Sequence, residues 1–490
     1  GLRAVSASAG EKGPFCASLN GEPLRLYGCD FPPLTFPLTE TTGTLCSARM
    51  ADAALAGFNL FRLPADTPPP TEEFLSACDR AGMLVWQVLP PVPTEAAERD
   101  AYIRECEKEM YRCMTHPSFA FVTLEGVMPD AAAVAALRAA APGVFLGQAG
   151  EITRGDGKTV LHDRTDGADT DAPGVAFCRT TASYPDVLTV RETLPADDGN
   201  LFGKTMEEHA LGHSLPDILA AAGRRYPFPS GARAATLVSQ FAAADAVEAA
   251  VTAARRGTPG NCLLLDRLHD PWFAVSPSFL DCAGRRKAAC YAAGHATVPV
   301  SLDVRTGDSR VTFTVHNDTR RELTGANVAY EILDASGTRV DGGTFAAETA
   351  PFSHAEVGSI HTSSVLFGHE RSYFLSAWLD DGRCVIDRKL TAFAEPRFLR
   401  LEDPGIRMRV EDRDGRPEVM IAAARPAFGV WIYFDDGVAA PDDNFLSLTA
   451  GSPMCIPVTV YAKGQTAELL GHKIHVLSLY DLQKNRKEDI

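Results

Sequence analysis

The feature that most constrains this chain is an alternation of periods between Thr44 and Leu89. Helical patterning near 47–57 and 71–81 is followed each time by a short apolar run, FNLFRLP at 58–64 and MLVWQVL at 83–89. Short strands buried on both faces, each preceded by an amphipathic helix, form parallel βα units. The alternation continues with a charged helix over 95–115, an apolar run reaching Glu125, a helix over 129–141 and a strand over 144–150. It returns at Cys262–Leu265, an apolar run that gives way to Asp266, Arg267, His269 and Asp270. A buried strand that ends in polar side chains places them where an α/β barrel keeps its chemistry.

Two other patterns flank the barrel. Asn20-Gly21 sits between short extended runs, a hairpin signal leading into the first barrel strand. From Val298 the period falls to two, with turns at Asp334–Gly337, Asp341–Gly343 and Asp380–Gly382, and a second set of strands starts near Pro396. That is β-sandwich patterning. The expected class is multidomain α/β plus all-β: a (β/α)8 TIM barrel over 1–295, then sandwiches over 296–395 and 396–490.

Composition removes several function classes. The 490 residues, 45% hydrophobic and 22% charged, are too many for one core. A net charge of −16 argues against nucleic acid and anionic membranes as partners. No run of about eighteen apolar residues marks a membrane span. The N-terminal residues lack a signal-peptide core, although a removed one leaves no trace. The 12 Cys are scattered without C-x-x-C pairs or zinc spacing, which favours free thiols in a reducing, cytoplasmic setting and leaves secretion open. His209 and His213 lack an H-E-x-x-H frame, and the Asp-rich run at 151–175 lacks the spacing of a calcium loop. No metal or cofactor is expected.

Asn59, Arg62, Cys78, Asp79, Gly82, Val85, Trp86 and Gln87 stand at the spacing N-x-x-R…C-D-x-x-G-x-x-V-W-Q. His116-Pro117-Ser118 opens the fourth strand, and Asp270, Trp272, Asp281, Gly284, Arg286 and Lys287 follow the last. Together with Ser183-Tyr184-Pro185 and a Ser239-Gln240 pair expected to open an Ala-rich helix, these resemble the β-mannosidase branch of glycoside hydrolase family 2. Asn317-Asp318 and Asp443-Asn444-Phe445 resemble its two immunoglobulin-like domains. The resemblance runs from Phe15 to Leu482 and implies that the sandwiches are immunoglobulin-like. The family places two β domains before its barrel, so the chain reads either as a piece of a longer protein or as one that does without that wall.

The resemblance fails at the positions that face the sugar. After Arg62 the family has W-G-G, and this chain has Leu63-Pro64-Ala65. Asp266 stands where the family has the Trp that floors the sugar site, Arg267 replaces a Gln, and His269 replaces an Asn. The family's acid/base glutamate falls on Val127, with Glu125 arriving two residues early. Two strand residues span about 6 to 7 Å, so Glu125 serves as the acid only if the strand end is correspondingly shorter. The nucleophile position falls on Cys178, and no Asp or Glu lies between Gly174 and Tyr184. A retaining glycosidase needs two carboxyls about 5 to 5.5 Å apart.

By resemblance the site set is Glu125 as a candidate acid, Cys178 at the nucleophile position, and Arg62, Asp266, His269, Asp270 and Trp272 as substrate-binding candidates. Arg62 is read as a brace for carboxylates, and Trp86 and Gln87 as barrel packing. The favoured reading is a glycosidase scaffold without catalysis that binds carbohydrate, a glycoconjugate or a protein partner. The alternatives are an active retaining exo-β-glycosidase using Glu125 and a structural assembly subunit.

Overall fold

The computed structural model describes residues 4–8, 16–35, 41–125, 131–140, 144–148, 175–195, 199–211, 213–256, 262–307 and 309–484. They form two compact units, one of residues 1–182 with 243–297 and one of residues 183–242 with 298–490. Val127 and nearly all of the Asp-rich run lie outside the described residues.

The first unit opens with a three-stranded sheet of β1 (Val5–Ser8), β2 (Cys16–Leu19) and β3 (Glu22–Leu24). Asn20 and Gly21 turn between β2 and β3 at φ 53° and 84°, the left-handed pair that a two-residue hairpin loop needs. A parallel sheet follows, built from β4 (Leu26–Asp30), β5 (Leu60–Leu63), β6 (Leu84–Leu89), β7 (Phe119–Leu124), β8 (Phe145–Gln148), β9 (Val175–Phe177) and β10 (Cys262–Arg267). Its order is β8-β7-β6-β5-β4-β10-β9. The first barrel strand therefore pairs with the last, which closes a βα series on itself. Seven of the eight expected strands fall among the described residues.

Strand alternation sets which side chains reach the site. Leu26, Leu60, Leu84, Trp86, Phe121 and Leu264 share one apolar cluster, against which Phe177 packs. Their neighbours Tyr27, Phe61, Val85, Val122 and Leu263 belong to a second cluster with the helices. Arg62 and Asp266 stand two residues beyond the interior positions Leu60 and Leu264, and Asp30 four beyond Leu26, on the row that leads out of the apolar layer. The helices that space these strands start on threonine caps: Thr42 accepts from Leu45 N–H ahead of Gly43–Leu55, and Thr71 from Phe74 N–H ahead of Glu72–Ala81. Gly82 ends the latter helix at φ 74°.

In the second unit, β11 (Val300–Thr306), β12 (Arg310–Asn317) and β15 (Ser353–His361) face β13 (Leu323–Leu333), β14 (Arg339–Thr349), β16 (Phe374–Asp380) and β17 (Val385–Ala392) across a core of Phe313, Val315, Val328 and Leu379. A further sandwich pairs β18 (Arg407–Arg413), β19 (Arg416–Ala422), β21 (Ala439–Pro441) and β23 (Met454–Val460) with β20 (Ala427–Phe434), β22 (Leu446–Leu448) and β24 (Ile474–Leu477) over its own core. Residues 183–242 group with these sandwiches because Tyr226, Leu237, Val238 and Phe241 share a cluster with Phe374, Leu399 and Trp431.

The helix Ala232–Arg255 opens seven residues before the expected Ser239. Ser239 is no N-cap: its hydroxyl donates back to Thr236 O at 2.8 Å and accepts Tyr184 N–H at 3.1 Å. Gln240 Nε2 reaches Tyr184 O at 3.1 Å, so the Ser-Gln pair grips the Ser-Tyr-Pro segment from mid-helix. Among the described residues this is the one helix long and apolar enough to cross a membrane by length and composition, and 67% of its apolar window is buried as a core helix is.

Candidate functional site

Several residues shared with the family pattern are fully occupied in holding the barrel together. Asp79, at the end of its helix, accepts His116 Nδ1–H at 2.7 Å and Ser118 N–H at 2.9 Å, and His116 Nε2 meets Glu72 at 3.1 Å. Burial raises the Asp79 carboxyl, but the bonds from Ser118 and His116 outweigh it and hold the group below the usual carboxylate range. Asn59 accepts Tyr27 N–H at 3.0 Å and donates to Arg25 O at 2.9 Å, extending the β4–β5 pairing. Arg286 pairs with buried Asp52 at 2.9 Å.

Asp270 belongs to the same category. It is 2% exposed and accepts Ser276 Oγ–H at 2.7 Å and Ser278 Oγ–H at 2.6 Å, with Lys287 Nζ at 3.8 Å. Lys287, 1% exposed, donates to Ser276 O at 3.0 Å. The carboxylate pins the loop after β10 from inside. His269 is buried as well: Nε2 meets Pro33 O at 3.2 Å, the ring lies edge-on to Phe31 at 5.2 Å, and burial pushes it down to about 3, so the imidazole is neutral. Of the trio expected on this loop, only Trp272, 48% exposed, presents its ring to solvent.

The strand ends bring a different group together. Arg62 on β5 grips Asp30 at the end of β4 in two parallel bonds, Nε–Oδ1 at 2.5 Å and Nη2–Oδ2 at 2.7 Å. Its guanidinium lies 4.6 Å from the Phe177 ring centroid. The planar fork is thus fixed by a carboxylate and by an aromatic face. Asp266 sits on β10 beside β4, where the register skips from Leu265↔Cys29 to Arg267↔Asp30. Such a bulge re-aims a side chain at a sheet rim. Thr180, just past β9, donates its N–H at 2.5 Å and its hydroxyl at 2.8 Å to Asp266 Oδ2. Burial raises the Asp266 carboxyl to about 6, helped by the Asp30 charge and opposed by the Thr180 bonds.

Glu125 follows β7 directly, with its N–H on Leu89 O at 3.0 Å and its side chain exposed. Among the described residues it makes no side-chain hydrogen bond or ion pair. Cys178 packs against the helix-side cluster rather than the interior one that holds Phe177. Burial, with Asp266 adding to it, pushes its thiol up to about 11, against nucleophilic use near neutral pH. Trp86 lies in the interior cluster with Nε1–H on Thr123 Oγ1 at 2.8 Å, and buried Gln87 donates to Val88 O at 2.8 Å. Among the described residues no group of three or more His, Cys, Asp or Glu is placed to hold a metal ion.

Sequence reasoning missed Asp30 and Thr180. Asp30 carries the signal used for Asp266, a carboxylate ending an apolar strand. Thr180 carries none, because a threonine after a strand is unremarkable until its partner is known.

The comparisons with known proteins agree with this architecture. Residues 401–482 match the Ig_mannosidase model, an Ig-fold domain. A β-D-mannosidase from Dictyoglomus thermophilum superposes with a TM-score of 0.84 at 17% identity over 98% of this chain and 63% of that one. The chain has the fold of that β-mannosidase. The exo-β-D-glucosaminidase CsxA gives 0.77 at 18% identity over 98% and 66%, and the exo-chitosanase CsxA from Amycolatopsis orientalis gives 0.76 at 17% over 98% and 65%. The β-mannosidase-like chain thus spans just under two thirds of the length of the solved structures it resembles. No curated protein sequence matches it.

Proposed function

We propose that this β-mannosidase-like chain binds a carbohydrate or glycoconjugate at the strand ends of its barrel without cleaving it by the two-glutamate route. The observation that carries the reading is the β9 end: Phe177-Cys178-Arg179-Thr180 supplies no carboxyl, and the Cys178 thiol is pushed up and packed with the helix layer. Retaining hydrolysis needs a nucleophile opposite the acid, and losing it removes most of the transition-state stabilisation while leaving binding. Apart from the exposed Glu125, the carboxylates at these strand ends, Asp30 and Asp266, are held by Arg62 and Thr180.

The names of the structural neighbours supply the ligands to try, mannose and glucosamine in β-linkage. Incubation with aryl β-mannoside and aryl β-glucosaminide is expected to give no turnover above background, while the sugars or their oligomers raise the melting temperature. Turnover that disappears in Glu125→Gln defeats the proposal and favours the one observation on the other side, an exposed Glu125 at the end of the fourth strand. No turnover and no stabilisation by any sugar favours an assembly subunit.

A further inference from the structure

A separate feature lies within the second unit. The helix Leu215–Arg225 buries Ile218 and Ala222, yet Leu219, Ala220 and Gly223 line an open cleft of about 700 Å³. The helix therefore carries apolar residues on a second side, which faces this cleft and not the core. Phe202 and Phe228, 54% and 77% exposed, also line this cleft. Two exposed phenylalanines on one concavity are more than scattered surface apolarity.

Gly223 faces open space on the cleft floor. A Cβ there would meet nothing within 4 Å, so no close packing demands glycine. Glycine instead costs the helix roughly 1 kcal/mol relative to alanine.

The charged lining is selective. Arg397 Nη1 donates to Gly223 O at 3.0 Å, which fixes one guanidinium against the helix, and Arg224 stands beside it in the lining. Neither pairs with a carboxylate among the described residues, whereas Arg225 has Glu395 at 3.0 Å. Two cations without acidic partners on one apolar cleft stand out in a chain of net charge −16. Glu207 is the one acid in the lining, so two arginines against one glutamate leave a net charge of +1, which suits a ligand with a single negative group.

We propose that this cleft binds a small amphiphile with one carboxylate head and an unbranched apolar tail, the head on Arg224 and Arg397 and the tail along Leu219, Gly223, Phe202 and Phe228. Its volume lies within the range of small-molecule sites, about 300 to 1,000 Å³. Guanidinium forks suit carboxylates, and an apolar trough with a cationic side suits a fatty carboxylate better than a sugar.

Calorimetric titration of the whole chain with sodium decanoate, below its micellar concentration, tests this. Saturable one-to-one binding is expected, with decanol and decyltrimethylammonium at least ~10-fold weaker, as the loss of charge-assisted bonds implies. Arg224→Gln with Arg397→Gln is expected to weaken decanoate by a similar factor, and Gly223→Leu to weaken it by crowding the floor along which the tail lies. The absence of saturable decanoate binding overturns the proposal. So does equal affinity for decyltrimethylammonium, or decanoate affinity unchanged in the arginine double variant, which decides the matter if Gly223→Leu does not fold.

Discussion

Thr180 holds one carboxylate oxygen of Asp266 with both its backbone N–H and its hydroxyl, at 2.5 and 2.8 Å. Two donors on one oxygen ought to pull the carboxyl down, but burial and the Asp30 charge prevail and it sits at about 6. The folded value thus lies above the unfolded one, and protonation favours the folded chain. Stability from this group is full below the unfolded value near 4 and is lost as pH rises through about 6. Asp266→Asn keeps an acceptor for Thr180 and cannot ionise. Urea unfolding, followed between pH 4 and 7.5, is expected to show the variant gaining on the parent as pH rises. The difference is bounded at on the order of 3 kcal/mol, and is smaller because the group is partly exposed. Parallel pH profiles would contradict it.

Arg62 is held by Asp30 on one side and Phe177 on the other. Lysine keeps the charge but loses the fork and the flat stacking surface, so Arg62→Lys is not conservative here. Both Arg62→Lys and Arg62→Met are expected to destabilise the barrel by about 1 to 3 kcal/mol. The Met variant also raises the Asp266 carboxyl further, since Asp30 is left uncompensated beside it. NMR titration of the aspartate carboxyls measures that shift, and an Asp266 midpoint unchanged in Arg62→Met excludes the electrostatic link.

Cys178 offers a chemical test. Its thiol, pushed up to about 11 and partly buried, is a poor nucleophile at pH 8, whereas Cys384 is exposed. Brief treatment with iodoacetamide at pH 8, read by peptide mass spectrometry, is expected to label Cys384 at least ~10-fold faster than Cys178, because Cys384 is exposed and burial holds the Cys178 thiol up. Preferential labelling of Cys178 would return it to consideration as an activated nucleophile.

The architecture was legible because barrel and sandwich differ in period, and periods survive substitution. The motif residues were legible for a related reason. Asp79 with His116 and Ser118, Asn59 between strands, and Ser239-Gln240 on Tyr184 each do geometric work that few other side chains could replace. The site was less legible. Asp270 and His269 fit a pattern associated with sugar binding, yet one is consumed by Ser276 and Ser278 and the other is packed on Phe31. Sequence position says where a backbone goes, not how many partners its side chain already has. Asp30 and Thr180 were missed because their significance comes from Arg62 and Asp266, residues 32 and 86 positions away.

The clasp at Asp79 permits the sharpest stability test. Its carboxylate satisfies the Ser118 N–H and the His116 ring, which is 8% exposed, and is held below its ordinary value. Because the folded value is the lower one, the contribution is present above the unfolded value near 3.8 and is lost as pH falls through the folded one. Asp79→Ala strands two donors and is expected to cost about 2 to 4 kcal/mol at pH 7. Asp79→Asn keeps one acceptor and should cost less. In urea unfolding followed by tryptophan fluorescence, the gap between parent and Asp79→Ala should narrow as the pH is lowered toward 3, because the parent loses what the variant never had. A gap that stays constant with pH would mean that the side chain acts by packing, with its charge immaterial.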